Sequence, residues 1–270
     1  PAHVSLRVNT RKSSVESVIE QLNQDGVELR PSEVAENALV VTKGSVVNSP
    51  LLKNGLITIQ DESAMLAVEA LKVQPSNRVL DACAAPGGKT VQIAEKLDAS
   101  KGGHVTALDL HQNKVRLIKK NASRMGLSEL ISARAMDARQ AKEKFQDESF
   151  DRILVDAPCS GFGLLRRKPE IRYARGEQAS DKLHEIQLEI LDAVAQKLVK
   201  GGIMVYSTCT LLHTENDGTV HEFLSSHPEF SLEKVQTSRA IKDDRHSATL
   251  TILPSDFGSD GFFISCLKRN

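Results

Sequence analysis

The sequence predicts an α/β fold with a mostly parallel sheet, an antiparallel C-terminal edge and a small α/β subdomain in front of it. From Arg78 onward, apolar runs of strand length alternate with segments whose apolar residues repeat at helical spacing. Such alternation is typical of right-handed crossovers and of a parallel sheet with helices on both faces. The residues before about position 60 show a separate, shorter series of predicted strands and helices. We therefore expect two units, residues 1–60 and residues 61–270.

Three patterns predict the first unit. Residues 4–8 alternate as a half-buried strand, and residues 38–42 form a second strand. Between them, residues 14–24 place apolar side chains on one face of a helix. A linker helix over residues 63–73 follows. The first unit is too short to be an enzyme alone.

The second unit contains a longer series of elements. The expected parallel strands lie at 78–82, 104–109, 130–135, 151–156 and 202–207. The expected helices lie at 88–98, 111–125, 138–145, 182–199 and 214–226. Two weaker strand patterns, at 231–236 and 262–267, are expected to close the sheet as its antiparallel edge.

The composition excludes several classes of protein. Of the 270 residues, 40% are hydrophobic, which is too many for a disordered chain. No apolar run approaches the ~20 residues that span a bilayer, and the first residues lack a secretory pattern. We therefore expect a cytoplasmic monomer with no membrane partner. The chain opens at Pro1 without an initiator Met, so we also expect residues upstream of it.

The cysteines point to chemistry rather than to a metal site. Those at 83, 159, 209 and 266 have no C-x-x-C spacing, so we expect no bound metal and a reducing compartment. Cys159 and Cys209 each end a predicted strand, and ligands bind beyond the carboxyl ends of parallel strands. We therefore expect both thiols and Asp156 to share one crevice. A free Cys is more commonly core filler, which is our interpretation of Cys266.

A loop with two glycines follows the first strand of the second unit. It reads Ala-Cys-Ala-Ala-Pro-Gly-Gly-Lys-Thr and ends at Thr90. Gly87 and Gly88 have no Cβ, so a ligand can approach the backbone closely. The amides at the start of the next helix suit a carboxylate or phosphate. This loop is a candidate cofactor site.

Two kinds of nucleotide ligand compete for this loop. Gly88-Lys-Thr90 matches the end of a P-loop, and residues 153–156 could serve as its Walker-B strand. However, Cys83 replaces the first glycine of that motif, and Pro86 stiffens a loop that must wrap phosphate. The dinucleotide motif G-x-G-x-x-G is absent as well. A nucleoside cofactor without a pyrophosphate fits better.

Acidic residues at strand ends support the nucleoside interpretation. Asp81, Asp109 and Asp137 follow consecutive predicted strands. A carboxylate at the position of Asp109 can accept hydrogen bonds from a ribose diol, and Asp137 could reach an adenine amino group. Any one such residue is more often a helix cap. The set of three beside a glycine loop suits S-adenosylmethionine.

One segment is strongly basic in a chain whose formal net charge is zero. From Arg166 to Arg175 it reads R-R-K-P-E-I-R-Y-A-R, with five cations and one anion. A solvated loop is the simpler interpretation. Its position just after Cys159 favours contact with RNA phosphate instead, through Arg166, Arg167 and Arg172.

At these motifs the chain resembles the RNA cytosine-5 methyltransferases of the Sun/RsmB/NSUN group, which have the class I methyltransferase (Rossmann-like) fold. The resemblance covers nearly the whole chain, and only the combination of motifs is specific. The matching segments are Leu6–Thr10, Gln60–Ala64, Asp81–Thr90, Asp156–Gly161, Arg166–Ile171, Ser207–Cys209, Glu215–Asn216 and Asp260–Phe263.

The resemblance assigns roles to particular residues. It implies that Cys209 is the nucleophile, that Cys159 helps release the product, and that the first ~60 residues contact RNA. Relatives of the RsmB type carry a further helical RNA-binding domain at the N-terminus, to which no part of this chain corresponds. Phe162 and His213 depart from the family pattern beside the two cysteine motifs. The residues implied to bind S-adenosylmethionine are Cys83, Ala84, Ala85, Pro86, Gly87, Gly88, Lys89, Asp109, Asp137 and Asp156.

The implied chemistry explains why thiols are needed. Cytosine C5 is a poor nucleophile, but a thiolate that adds to C6 makes C5 electron-rich enough to attack a methylsulfonium group. Asp156, protonated or sharing a proton with N3, would ease that addition, and amides of the helix predicted from 214 would favour the thiolate. The residues alone leave either cysteine as the nucleophile, because DNA cytosine-5 methyltransferases use a Pro-Cys motif. The resemblance favours Cys209.

We therefore expect an enzyme that methylates C5 of a cytosine in RNA, with S-adenosylmethionine as methyl donor. Ribosomal RNA of the small subunit is favoured over transfer RNA only through the resemblance at Arg166–Ile171. Two other hypotheses stay open. One is an RNA-binding assembly factor that kept the fold without turnover, and the other is a P-loop ATPase.

Overall fold

The computed structural model describes residues 3–174, 177–241 and 247–270. Arg175, the last cation of the predicted basic segment, lies outside the described residues. The strands are β1 (Val4–Val8), β2 (Glu28–Pro31), β3 (Ala38–Lys43), β4 (Ile57–Ile59), β5 (Arg78–Asp81), β6 (His104–Asp109), β7 (Ile131–Ala135), β8 (Phe150–Asp156), β9 (Leu198–Thr208), β10 (Phe230–Glu233), β11 (Leu250–Ile252) and β12 (Phe262–Arg269). The helices are α1 (Val15–Gln24), α2 (Pro50–Lys53), α3 (Glu62–Leu71), α4 (Gly88–Ala94), α5 (Gln112–Met125), α6 (Ala141–Lys144), α7 (Ile171–Ala174), α8 (Glu177–Ala195), α9 (Asp217–Ser226) and α10 (Pro254–Phe257).

The first part of the chain forms a four-stranded antiparallel sheet in the order β2-β3-β1-β4. Helix α1 begins at its cap Ser14, whose side chain accepts a hydrogen bond from the Ser17 amide. Val18 and Leu22 of α1 are fully buried against the sheet. Strands β2 and β4 were not predicted, because four and three residues are too few to show a period.

The rest of the chain builds the large sheet, in the order β10-β12-β9-β8-β5-β6-β7, with β11 paired to β12. Strands β5 to β9 are parallel, whereas β12 runs antiparallel to β9 and β10 antiparallel to β12. This confirms the predicted mostly parallel sheet with an antiparallel C-terminal edge. The strand order reverses between β5 and β8, and ligand crevices open at such a point.

Helices cover both faces of the large sheet. In β8, Leu154 belongs to the core under α3 and α4, while Ile153 and Val155 belong to the core under α8 and α9. Burial on both faces explains why this strand reads as an unbroken apolar run. The predicted helix at 182–199 was wrong at its end, because α8 stops at Ala195 and the next residues enter β9.

A buried polar network joins the two sheets. The Arg7 side chain of β1 pairs with Glu95, which directly follows α4. Arg7 Nε also donates to Gln60 Oε1 at 2.8 Å, and Gln60 Nε2 donates to Gln92 Oε1 at 2.9 Å. These bonds fix the small sheet beside the helix that carries the glycine loop.

No helix within the described residues is both long enough and apolar enough to cross a membrane.

Candidate active site

The glycine loop is held between its neighbouring strands. The Ala82 amide donates to Leu154 O at 3.0 Å, and the Ala84 amide donates to Leu108 O at 2.8 Å. Gly87 ends the loop at φ +107°, and a Cβ there would lie 3.2 Å from the Ile118 Cα. Only glycine meets both conditions without strain, so the backbone dictates this residue.

Asp81 lies beneath the loop and is 1% exposed. Its Oδ2 accepts a hydrogen bond from Thr90 Oγ1 at 2.7 Å, whereas its buried Oδ1 has no hydrogen bond of good geometry among the described residues. Burial raises the pKa of Asp81 to about 6, although the Thr90 hydrogen bond opposes that rise. Asp81 therefore anchors the loop to α4.

A cavity of about 380 Å³ opens at the carboxyl ends of β5, β6, β7 and β8. That volume is within the range of about 300–1,000 Å³ usual for small-molecule sites. Of the predicted cofactor residues, Cys83, Ala85, Asp109, Asp137 and Asp156 line it. Ala84, Pro86, Gly87 and Gly88 are not part of this lining and shape the loop behind it.

The donor set of the cavity fits an adenosine group. Leu110, Met136, Ile186 and Ile190 provide apolar walls, and carboxylates flank them. Asp109 Oδ1 accepts only a local bond from the His111 amide among the bonds described, at 3.1 Å, which leaves acceptor capacity for a ribose diol.

Asp137 is less available than predicted for an adenine amino group. Its carboxylate accepts hydrogen bonds from the Arg139 amide at 2.9 Å and from the Arg139 guanidinium at 2.8 and 3.1 Å. The hydrogen bond from the Arg139 side chain lowers the pKa of Asp137. The signal missed in the sequence is the cation two residues later, which reaches back to the strand end.

The two cysteines meet at one end of the cavity. Sγ of Cys159 and Sγ of Cys209 lie 3.1 Å apart, in hydrogen-bond contact, and both residues are half-buried. Both line the cavity together with Asp156. The Gly163 amide donates to Cys209 O at 2.9 Å and so ties the two cysteine loops together. The expected convergence of two thiols and a carboxylate is therefore what the structure shows.

The pKa values of the two thiols are shifted in opposite directions. The hydrogen bond from Cys159 lowers the pKa of Cys209. Burial and the Asp156 charge oppose it, and the Lys89 charge offsets part of the Asp156 effect. The same hydrogen bond, together with burial, raises the pKa of Cys159. With Cys159 as the donor of this hydrogen bond, Cys209 is the sulfur that the site favours as a thiolate.

Lys89, predicted as a cofactor residue of the glycine loop, also forms an ion pair with Asp156. Its Nζ lies 2.8 Å from Asp156 Oδ2 and 5.4 Å from the centre of the Phe262 ring. Burial alone would lower the pKa of Lys89, but the Asp156 carboxylate outweighs it and the pKa is raised. Ser207 Oγ donates to Asp156 Oδ1 at 3.0 Å. Asp156 is thus bound by two partners, the Lys89 ammonium and the Ser207 hydroxyl.

Two further residues discussed from the sequence, Phe162 and Cys266, do not line the cavity. Phe162 is half-buried. Cys266 is buried in the core, and burial raises its pKa to about 11, as suits core filler.

The helix predicted from 214 was wrong in its start, because α9 begins at Asp217. Among the described residues no group of three or more His, Cys, Asp or Glu side chains could hold a metal ion.

The basic segment separates into two kinds of arginine. Arg167 Nε donates to Asp260 Oδ1 at 2.7 Å, and its Nη2 lies 2.7 Å from His3 O and 3.5 Å from Asp61 Oδ1. Arg166, Arg167 and Arg172 are all exposed, so the difference between them is the pairing of Arg167. The Arg167 guanidinium thus contacts two carboxylates and joins the start of the chain to the loop before β12, and its contact with RNA stays a prediction.

The chain matches two family models. The model described as 16S rRNA methyltransferase RsmB/F matches residues 68–268, and the model described as the RsmF/B-like, ferredoxin-like domain matches residues 1–48.

Curated relatives and a solved structure agree with these matches. The probable ribosomal RNA small subunit methyltransferase B of Bacillus subtilis is 46% identical over 273 residues, which cover 100% of this chain and 60% of the relative. The ribosomal RNA small subunit methyltransferase B of Yersinia pestis is 36% identical over 96% of this chain and 58% of its own length. The crystal structure of NSun6 from Pyrococcus horikoshii with SFG superposes with a TM-score of 0.87 at 21% identity, over 100% of this chain and 91% of that one. The chain thus spans about 60% of the length of these curated relatives, and the predicted methyltransferase fold is confirmed.

Proposed function

This chain belongs to the 16S rRNA methyltransferase RsmB/F family, and from that premise we propose that it methylates C5 of a cytosine in small-subunit ribosomal RNA. The proposed methyl donor is S-adenosylmethionine, and the proposed intermediate is a covalent bond between Cys209 and cytosine C6. The observation that carries the proposal is the contact of two thiols, 3.1 Å apart, at the end of a cavity suited to adenosine.

The cavity supports the choice of cofactor. Asp109 is the proposed ribose ligand, Leu110 and Ile186 are proposed to flank the adenine, and Asp156 lies at the cysteine end of the cavity. NSun6 was solved with SFG, an analogue of S-adenosylmethionine. When bound, S-adenosylmethionine supplies an electrophilic methyl group on a sulfonium. A P-loop function has less support, because the Lys89 ammonium that would hold phosphate is paired with Asp156.

The acidities of the two thiols support Cys209 as the nucleophile. Its thiolate is stabilised chiefly by the hydrogen bond from Cys159, which outweighs burial and the charge of Asp156. In the proposed first step the Cys209 sulfur bonds to C6, and the electron pair of the C5–C6 double bond shifts toward C5. With that pair C5 would take up the methyl group, whose former bond to sulfur breaks and leaves its electrons on the sulfur of the donor. The Lys89 ammonium and the Asp156 carboxylate provide one donor and one acceptor for the polar edge of the ring.

Product release then falls to Cys159. Once the Cys209 sulfur is bonded to carbon, it is no longer an anion, and the two effects of Cys209 that raise the pKa of Cys159 disappear. Cys159 can then lose its own proton to solvent and accept the proton from C5. The C5–H electron pair re-forms the double bond, the C6–S bond breaks, and its electron pair returns to Cys209.

We propose residues 1–60 as an RNA-contacting subdomain and residues 61–270 as the catalytic domain. Exposed Arg166 and Arg172 beside the Cys159 loop are the proposed phosphate contacts. The target base must leave its stack to reach the thiols, which costs a few kcal/mol in a duplex and less in a loop.

RNA that contains 5-fluorocytosine tests the proposed intermediate, because fluorine at C5 blocks the last step and traps the adduct. The parent protein and Cys159→Ala should both form an adduct that survives denaturation, and Cys209→Ala should form none, as mass spectrometry can detect. The control Cys266→Ala, which removes a thiol from the core, should behave as the parent does. An adduct that persists in Cys209→Ala but not in Cys159→Ala would exchange the two roles.

A methyl-transfer assay with tritiated S-adenosylmethionine and ribosomal RNA separates the proposal from its rivals. Binding of S-adenosylmethionine and RNA without transfer would favour an assembly factor. Tight ATP binding without S-adenosylmethionine binding would favour the P-loop hypothesis.

A further inference from the structure

Two buried polar residues lie directly behind the cysteine pair. Glu215 and Asn216 follow Cys209 in the chain, between β9 and α9, and are 0% and 4% exposed. We call this pair the Glu215–Asn216 clamp. The proposed chemistry assigns no role to either residue. A buried carboxylate costs free energy unless it is paired or hydrogen-bonded, so the partners of Glu215 show what it holds in place.

Glu215 holds the loop that carries Cys159. Its Oε1 accepts a hydrogen bond from the Ser160 amide at 2.8 Å, and its Oε2 accepts one from Ser160 Oγ at 2.7 Å. Ser180 Oγ of α8 donates to the same carboxylate at 3.0 Å. Gln187 Nε2 of α8 donates to Pro158 O at 2.9 Å and lies 3.4 Å from Glu215 Oε1. Both neighbours of Cys159 are therefore fixed by one network.

Asn216 holds the residues on either side of Cys209. Its Oδ1 accepts from Thr208 Oγ1 at 2.5 Å, and its Nδ2 donates to Thr210 O at 2.9 Å. The clamp itself is fastened to β9, because Tyr206 Oη donates to Glu215 O at 2.6 Å. Two consecutive residues, Glu215 and Asn216, therefore form hydrogen bonds with the loops that carry Cys159 and Cys209.

We propose that Glu215 and Asn216 are positioning residues that keep the Cys159 and Cys209 sulfurs within reach of each other and of the same cytosine. The inference rests on the proposed function. Asn216 is hydrogen-bonded to both neighbours of Cys209, the proposed nucleophile. Glu215 is hydrogen-bonded to the residue after Cys159, whose thiol is proposed to help break the C6–S bond. Loss of either residue should therefore impair a different half of the reaction.

A purely stabilising role predicts something else. A buried Glu that only supports the fold would, when replaced, lower stability and slow every step alike. Positioning predicts separate effects on bond formation and bond cleavage, and it predicts a change in the thiolate character of Cys209 without any RNA present.

The first test compares Glu215→Gln with the parent protein and with Glu185→Gln, a control at an exposed carboxylate of α8. Alkylation of Cys209 is followed against pH by mass spectrometry of its peptide. When the Cys159 loop is released, Cys209 loses its hydrogen-bond donor, so the midpoint of its alkylation profile should move to higher pH. The control should keep the parent midpoint.

The second test measures the covalent adduct with ordinary cytosine RNA and S-adenosylmethionine on denaturing gels. Glu215→Gln should accumulate adduct and release product about 10- to 100-fold more slowly, the cost of a small misplacement of a reacting group. Asn216→Ala should instead form less adduct. Bound S-adenosylmethionine and the melting temperature show whether each variant is folded.

The outcomes separate this inference from the proposed function. Parent-like alkylation and release in Glu215→Gln would overturn the clamp, and so would equal loss of bond formation and release in both variants. If Glu215→Gln does not fold, Ser180→Ala removes one donor to the carboxylate and should give a smaller shift in the same direction; no shift would count against the clamp. If the parent forms no adduct and transfers no methyl group, the proposed function fails, and the alkylation test still decides the clamp.

Discussion

Single residues in this protein acquire their chemistry from their immediate neighbours. Cys159 and Cys209 are identical side chains at the ends of adjacent strands, yet the hydrogen bond between them lowers the pKa of one and raises that of the other. Lys89 follows the glycine loop, and its Nζ lies 2.8 Å from the Asp156 carboxylate, as part of the candidate catalytic centre. The sequence identified all four residues but not the contacts between them.

Asp81 offers a prediction at this scale. Burial raises its pKa from 3.8 to about 6, so the folded protein binds a proton there more tightly than the unfolded chain does. This contribution to stability is present in full below pH of about 4 and is lost as the pH rises through about 6. A shift of roughly two pH units corresponds to about 3 kcal/mol.

Asp81→Asn removes this titration and keeps an acceptor for Thr90. The free energy of unfolding of the variant, minus that of the parent, should rise by up to about 3 kcal/mol between pH 4 and pH 7. Urea unfolding at a series of pH values measures it. A difference that stays constant with pH would mean that folding does not raise the pKa of Asp81.

At the scale of elements, the strand ends decide which residues meet. The parallel strands were predictable because burial on both faces leaves apolar runs of strand length. Strand β11 was not predicted, since its three residues gain their conformation from pairing with β12. Helix α9 begins three residues later than predicted because a short 3₁₀ turn, His213–Glu215, comes first.

The basic segment gives a prediction for one element. Arg166→Gln with Arg172→Gln should weaken RNA binding and reduce the slope of log affinity against log salt by about 0.7 for each phosphate that is no longer neutralised. Arg167→Gln should leave that slope unchanged and lower the melting temperature, because Asp61 and Asp260 lose their cation. Filter binding over a range of salt concentrations measures the slopes.

Lys200→Gln is the matched control, because this exposed cation lies at the opposite end of the large sheet, near the start of β9. If Arg167→Gln lowers the slope as the other two substitutions do, its guanidinium contacts RNA as well. If only the control lowers it, RNA binds a different face.

At the scale of the whole molecule, the buried pair of Arg7 and Glu95 joins the two sheets. Their side chains are 4% and 7% exposed. Burial raises the pKa of Glu95 even though Arg7 opposes it, which shows that desolvation is the larger effect. A pair of this kind holds two units in one orientation at some cost in stability.

Arg7→Met should therefore destabilise the protein by about 3–5 kcal/mol, because it leaves a buried carboxylate without its cation. Arg7→Met combined with Glu95→Met should recover much of that loss. Lys43→Met, which breaks an exposed pair with Glu28 in the same small sheet, should cost no more than about 1 kcal/mol. Urea unfolding measures these variants together with Glu95→Met alone, and additive effects of the Arg7 and Glu95 substitutions would show that the pair is not coupled.

Local patterns in the chain were enough to predict the order of the main strands and helices, the glycine loop and the residues of the candidate site. They carry that information because buried strands must be apolar and reacting groups must be of particular types. The pairing of Arg167 with Asp61 and Asp260, that of Lys89 with Asp156 and the bracing of the Cys159 loop by Glu215 became visible only in the folded protein. Each of these contacts joins residues at least 55 positions apart in the chain, and no periodicity reports them. Their energies depend on burial and distance, which exist only once the chain is folded.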